Sequence, residues 1–396
     1  MPLEVVYTNG LRKLKPYYST RNTFAKGRWL GKTLLEVLVK EFKTFTEQHY
    51  IDGITKGLYT IYRDGELLAA DDVLHSRIQN KDIVETRFHK HEPPVKQWCT
   101  ELIENNDRQG RVAGIDLIYE DDNLFIIDKP NGIPVHPTGQ FYKNTLTEIF
   151  KTHGKTVSPC YRIDKVTSGL LIFAKNQVAA SDIQTKISER TMNKYYFARV
   201  KGKFPGTLSN IFGDSYNISD IIQQDPVIEN SSIYTVELKK GSLAAFSPTR
   251  EAVTHFYPIK YYPDCDHSVV LCKPLTGRTH QIRIHLARLG FPIVNDPFYN
   301  INNTKFRRRS KFLLDYKERE SIDKLKLQNI FNQFVEETAE QKSNSISNEQ
   351  GSKCLECGIN LLDDSSISEL EIYLHAWCYS NKDNTFEYKT KIPEWA

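Results

Sequence analysis

No stretch of this sequence approaches the roughly 20 consecutive apolar residues that a membrane-spanning helix requires, so a membrane-embedded protein is not expected. Cysteine is sparse. Seven in 396 residues, an odd number, suit reduced thiols in a reducing compartment and argue against a disulfide framework. The opening "MPLEVVYTNG" has neither the charged-then-apolar layout of a secretory signal nor the Arg- and Ser-rich amphipathic character of a mitochondrial presequence. A cytoplasmic or nuclear address follows, with mitochondrial import left open. A large excess of charge is also missing, because +4 at pH 7 is too small to demonstrate a nucleic-acid partner. No internal repeat is visible.

What is present describes a folded chain with a substantial core, at 39% hydrophobic and 26% charged residues. Its length favours one large catalytic-sized domain plus a smaller one. The positive charge is unevenly spread. Arg12, Lys13, Lys15, Arg21, Lys26, Arg28, Lys32 and Lys40 face only Glu4 and Glu36 in the first 40 residues, and "KFRRRSK" repeats the pattern at 305–311. Interleaved with Tyr17, Tyr18, Phe24 and Trp29, these cations suit phosphate contacts beside base-stacking surfaces, although a solvated face accounts for a charge run equally well.

Along the chain, "GKTLLEVLVKEF" spaces Leu34, Leu38 and Phe42 four apart, which predicts an amphipathic helix over 31–42. Asp64-Gly65 between two β-favouring runs predicts a tight hairpin. Helices and hairpin together form a compact basic module ending at Pro93-Pro94, and this pattern is similar to the small S4 RNA-binding domain. From "IDLIYED" onward, strand-like runs predominate: "NLFIIDKP", "GLLIFAK", "YYFARVKG", "SIYTVELKK" and "HSVVLCKPL". The fold class is therefore α+β, a large mixed and mostly antiparallel sheet with a small N-terminal α+β domain. The expected divisions are a basic extension at 1–22, the S4-like domain at 23–95, a linker at 96–112, the catalytic domain at 113–302, a polar insertion with Cys-x-x-Cys at 303–366, in which "EETAEQKSNSISNEQGSK" is expected to be flexible, and a return to the catalytic sheet at 367–396. "TGRTHQIRIHLARLG" predicts a helix that Thr279 can cap and Gly290 ends.

The chemistry centres on "CYRIDKVTSGLLIFAK". Arg162 and Asp164, two apart in an extended run, project to one side at the mouth of an apolar strand. By spacing alone, a structural ion pair explains them better than a site does. "YRIDKVTSGLL" nevertheless resembles the signature of the RluA-type pseudouridine synthases, with Tyr161 where that family usually has His and Ile163 where it has Leu. "DKPNGIPVHPTG", "NKYYFARVKG" and "KPLTGRTHQIRIHLARLGFPIVNDPFY" occur in the family's order.

The resemblance implies isomerisation of uridine to pseudouridine without a cofactor, most like the fungal tRNA-modifying branch that acts in the anticodon stem and loop at position 31 or 32. It implies Asp164 as the catalytic carboxylate, Arg283 as its basic partner and Tyr196 as the aromatic that packs on uracil. A nearby guanidinium lowers a carboxylate pKa by roughly 1 to 3 units, which suits an acid that must remain ionised. A stacked uridine must be flipped out at a cost of a few kcal/mol, and the resemblance implies Arg162 as the residue that fills the gap. Arg278, His280, Lys129 and His136 complete the expected RNA-binding set, with His136 read as shaping the pocket. The implied partner is tRNA, met by a monomer with no membrane contact. Two other readings remain open: a non-catalytic RNA-binding or RNA-chaperone protein on the same scaffold, and the same chemistry on ribosomal RNA. The pyrimidine-deaminase pattern, His-x-Glu with Pro-Cys-x-x-Cys, is missing. Lastly, Cys354, Cys357, His375 and Cys378 have a spacing compatible with structural zinc, but "LHA" at 374–376 also reads as a sheet strand that would occupy His375.

Overall fold

The computed structural model describes residues 3–42, 45–108, 110–206, 218–346, 353–381 and 386–396. The chain divides into two compact units. One comprises Met1–Glu4, Leu14–Glu92 and Cys354–Ile359; the other comprises Val5–Lys13, Pro93–Lys353 and Asn360–Ala396.

The smaller unit is a four-stranded antiparallel sheet in the order Tyr17–Phe24, Ile83–Lys90, Tyr59–Arg63, Glu66–Leu67. Asp64 and Gly65 both adopt positive φ, +51° and +89°, which is the backbone a two-residue hairpin requires. The helix expected over 31–42 opens on a capping box, Thr33 with Glu36, and widens after Leu34–Val37 into a π-helical turn, Leu38–Phe42. In that widened turn Glu41 accepts two hydrogen bonds from Arg28, at 2.7 and 2.9 Å. Leu34 and Leu38 enter a core with Trp29, Tyr50, Ile61 and Val84, and the side chain of Phe42 lies outside the described residues.

This packing corrects the expected stacking surface. Trp29 is core, Tyr17 donates its hydroxyl to Glu92, and Phe24 is the exposed aromatic at 71%. The basic run is corrected as well. Arg12 is buried in the larger unit, donating to Glu104 at 2.7 Å and Asn144 at 2.6 Å, because a cation out of water needs partners on every side.

The larger unit is built on an eleven-stranded sheet. Its central strands run in the order Thr254–Tyr262, His267–Pro274, Met192–Lys201, Leu374–Asn381, Ser168–Ala174, Leu124–Lys129, Ile115–Glu120. Ser168–Ala174 pairs parallel with Leu374–Asn381 and antiparallel with Leu124–Lys129. Buried on both faces, it explains the unbroken apolar run "LLIF": Leu171 and Phe173 enter one core, Leu170 and Ile172 the opposite one. Phe125, Phe150 and Phe173 meet edge to face with centroids 5.1 to 6.2 Å apart, each pair contributing about 0.5–1.5 kcal/mol beyond its area burial. The base of the site therefore stands on rigid packing.

One expected division and one expected property are corrected. The 96–112 stretch is no linker, because Trp98 packs on the core of the larger unit and Glu104 holds Arg12 there. The stretch 336–353, expected to be flexible, is helical as far as Ile346 within Lys324–Ile346, with Glu337 buried; ahead of it Phe312, Leu313, Leu327 and Phe334 are buried with Ile284 and Tyr299. Leu327, Ile330, Phe331 and Phe334 recur at i, i+3, i+4, i+7, a helical stripe inside a polar composition. Residues 347–352 of that stretch lie outside the described set. Among the described residues, no helix is long and apolar enough to cross a membrane.

Candidate active site

The residues expected to carry chemistry come together around a cavity of about 580 Å³. Arg162 and Asp164 do not lie in a strand as expected. They occupy an irregular extended stretch before a turn at Lys165-Val166, and the strand begins at Ser168. Several groups hold that turn in place. The amide of Thr167 donates to the carbonyl of Asp164 at 3.1 Å, and that of Gly132 to the carbonyl of Lys165 at 2.8 Å. Lys129 Nζ donates to the carbonyls of Pro130, Lys165 and Thr167 at 2.8 to 3.1 Å. Lys129 is therefore corrected from an RNA contact to a buried strut, since a fully enclosed ammonium cannot reach phosphate. Burial pushes its pKa down to about 7.

Opposite this turn stands helix Gln281–Arg288. It is preceded by His280 in the left-handed conformation at φ +57°, so His280 takes the cap position expected of Thr279. The Gln281 carboxamide explains the geometry: Thr276 Oγ1 and the amide of Arg278 donate to its oxygen, while its nitrogen donates to the carbonyl of Val253. The loop is thus held against the helix start.

From the buried face of this helix, Arg283 Nη1 donates to Asp164 Oδ2 at 3.0 Å. The other edge of its guanidinium meets Asp296 as a fork, Nε to Oδ2 at 2.7 Å and Nη2 to Oδ1 at 2.9 Å. Asp296 in turn accepts the amides of Phe298 and Tyr299. His280 Nε2 lies 3.5 Å from Asp164 Oδ2, and its Nδ1 is 2.9 Å from the hydroxyl of Tyr299. Burial is the largest influence on Asp164 and raises its pKa, yet His280 and Arg283 together hold the carboxyl below its ordinary value. Asp164 is thus an anion in a confined site, with its side chain 27% exposed toward the cavity.

Tyr196, on strand Met192–Lys201, lines the same cavity with its hydroxyl 2.5 Å from that of Tyr379. Burial pushes its pKa up to about 12, so the phenol is neutral near pH 7. Arg162 is exposed and lines the cavity. Arg278 does so too, tethered through Nε to the carbonyl of Glu251 at 2.9 Å. His136 is on the wall, its pKa lowered by burial and then by the charge of Arg162.

The expected zinc set does not form. His375 spends both ring nitrogens on hydroxyls, Ser168 at 2.8 Å and Thr390 at 2.7 Å. Cys378 lies beyond a bulge in the same strand and is buried in apolar core with Tyr195, Phe197 and Trp377. Sequence reasoning also missed Asp296, Tyr299 and Tyr379. Asp296 stands within the recognised "VNDPFY" block, but its distance along the chain from Arg283 carries no periodic signal, and only the folded chain reveals the fork.

The family model described as RNA pseudouridylate synthase matches residues 123–288, a span that holds Asp164, Tyr196 and Arg283. The chain is 48% identical to the tRNA pseudouridine(31) synthase of Saccharomyces cerevisiae, over 100% of this chain and 97% of that protein. It is 34% identical to the mitochondrial tRNA pseudouridine(32) synthase of the same yeast, over 99% and 78% of the two chains. Mouse pseudouridylate synthase RPUSD2 is 30% identical over 98% of this chain and 72% of its own length.

Proposed function

Because the chain belongs to the RNA pseudouridylate synthases of the RluA type, we propose that it converts a uridine of the tRNA anticodon stem, at position 31, to pseudouridine, with Asp164 acting on the ribose. The observation that carries this reading is the carboxylate of Asp164 held ionised by Arg283 inside the cavity, with Arg283 itself fixed by Asp296. The choice of position follows the greater likeness to the position-31 enzyme, 48% against 34%.

The reaction breaks the bond from C1′ to N1, turns the uracil, and joins C1′ to C5; the proton on C5 leaves and N1 takes one up, so the isomerisation releases no net proton. Asp164 serves as nucleophile at C1′ or as base at C2′. No step requires a metal or an organic cofactor. Arg283 limits the cost of keeping an anion away from bulk water, while burial lowers the His280 pKa and leaves that ring neutral near pH 7; the carboxylate needs no reorganisation at the moment of reaction. Tyr196 packs its ring on the base, with its hydroxyl fixed by Tyr379. Arg162 and Arg278 provide cations at the cavity for the RNA strand, and Arg162 fills the space the flipped base vacates. The reading carries a monomer working on cytoplasmic tRNA, with mitochondrial tRNA as a second pool.

The test uses the recombinant protein with tRNA and ribosomal RNA transcripts, mapping pseudouridine in each. Product at position 31 that disappears in Asp164→Ala, with tRNA affinity largely retained, supports the assignment. Product confined to position 32 or to ribosomal RNA moves the substrate, and undiminished turnover in Asp164→Ala removes the mechanism.

A further inference from the structure

The smaller unit brings together four side chains that the reaction does not use. His89 is the next-to-last residue of strand Ile83–Lys90 and His91 follows the strand, two residues on, so both rings project to one side. Against them lies the turn that holds Cys354 and Cys357, some 266 residues further along the chain. One ligating atom from each residue, two nitrogens and two sulfurs, falls within a mutual span of 4.8 Å. Cys354 Sγ is 3.5 Å from His89 Nδ1, and Cys357 Sγ is 3.2 Å from His91 Nε2. Tetrahedral zinc, with bonds of about 2.3 Å to sulfur and about 2.0–2.1 Å to nitrogen, sets its ligands roughly 3.3–3.8 Å apart. The observed separations lie close to those edges.

Three further features belong to a metal knuckle rather than to a chance cluster. The amide of Gly358 donates to the carbonyl of Cys354 at 2.9 Å, and that of Cys354 to the carbonyl of Ile359 at 2.8 Å. Gly358 adopts φ +70°, which closes the Cys-x-x-Cys turn in a conformation that side chains disfavour. His89 directs Nδ1 at the cysteines while its Nε2 lies 3.1 Å from Glu356 Oε2. That carboxylate fixes the ring and its tautomer, as outer groups do around metal-bound histidines. Both cysteines are free thiols.

We propose that His89, His91, Cys354 and Cys357 form a closed, structural zinc site that staples residues 354–359 onto the sheet of the smaller unit. Four protein ligands leave no open position, so the ion serves folding and not the isomerisation. The two cysteines expected from spacing are retained, and the two histidines replace His375 and Cys378.

The experiment takes the full chain, purified under reducing conditions and reconstituted with zinc, and measures metal by plasma mass spectrometry. About one zinc per chain is expected, and failure to retain any overturns the site. X-ray absorption of the zinc form should count two sulfur and two nitrogen neighbours; any other count overturns the ligand set without recourse to a variant. Cobalt substitution should give the visible bands of a tetrahedral thiolate site. His89→Ala and His91→Ala should each abolish stoichiometric binding, Glu356→Ala should weaken it roughly 10- to 100-fold, and Cys265→Ser should leave it intact. Full zinc retention in both histidine variants refutes the proposal.

Discussion

Asp296 is the residue whose role most exceeds its visibility. Its fork fixes the guanidinium that faces Asp164, and the amides of Phe298 and Tyr299 fix Asp296 in turn. Asp296→Asn retains shape but removes the charge that aims Arg283. It should lower single-turnover rate by about 100-fold, as misplacement of a reacting group by an ångström does, with tRNA affinity nearly unchanged. Asp296→Ala should also cost about 3–5 kcal/mol of unfolding free energy, because it strands a buried cation. Normal single-turnover kinetics in the Asn variant would show that Arg283 needs no such aim. Arg162 behaves differently, being exposed and placed at the cavity. If it fills the stack, Arg162→Ala should lower kcat/KM by about 10-fold or more on a folded stem-loop and much less on an unpaired oligonucleotide, where no stacking is lost. Equal losses on both substrates would assign it to phosphate binding instead. The apolar run after Asp164 and the basic residue on a later helix were legible from the sequence; the second carboxylate was not.

At the scale of elements, the turn that carries Asp164 depends on how closely two strands approach. Gly169 stands at φ +110° against Ala376, where an added Cβ would lie 2.2 Å from a backbone oxygen. This is the start of the parallel pairing between Ser168–Ala174 and Leu374–Asn381. Gly169→Ala should therefore cost more than about 3 kcal/mol, combining backbone strain with a steric clash. A melting temperature equal to that of the unmodified protein would show that the pairing relaxes freely. The strand itself was readable from "LLIF", and the hairpin from Asp64-Gly65, because both rest on local conformational preference. The helix Lys324–Ile346 was not, since its few apolar residues lie in a polar sequence whose composition masks their spacing.

For the whole molecule, acid stability follows from two histidines that folding buries. Burial lowers both His285 and His375 to about 4. Above the unfolded-state value neither state binds a proton there and no stability depends on them. As pH falls below about 6.5 the unfolded chain binds protons that the folded chain refuses, so stability declines until the folded pKa is passed. The decline should approach about 1.4 kcal/mol per pH unit for each histidine, measured as the urea midpoint between about pH 7 and pH 4. A midpoint constant across that window would mean that both rings take up protons in the native state. The modest net charge acts at this scale too, because many cations are matched by acids: Arg28 with Glu41, Lys305 with Glu369, Arg308 with Glu340, Lys311 with Asp315.

From the sequence alone came the α+β class, the order of the motif blocks, Asp164, Arg283 and Tyr196 as a set, and the pair Cys354 and Cys357. The class is carried by alternation and turn chemistry and the cysteine pair by short fixed spacing, whereas Asp164, Arg283 and Tyr196 came as a set only through the resemblance of their blocks to a known family. The partners came only from the tertiary structure: Asp296 behind Arg283, Lys129 under the turn, Tyr379 against Tyr196, His89 and His91 beside the cysteines. These pairings join residues whose separation along the chain obeys no period, and what selects them is the requirement that every charge or polar group taken from water find a partner where the fold brings one.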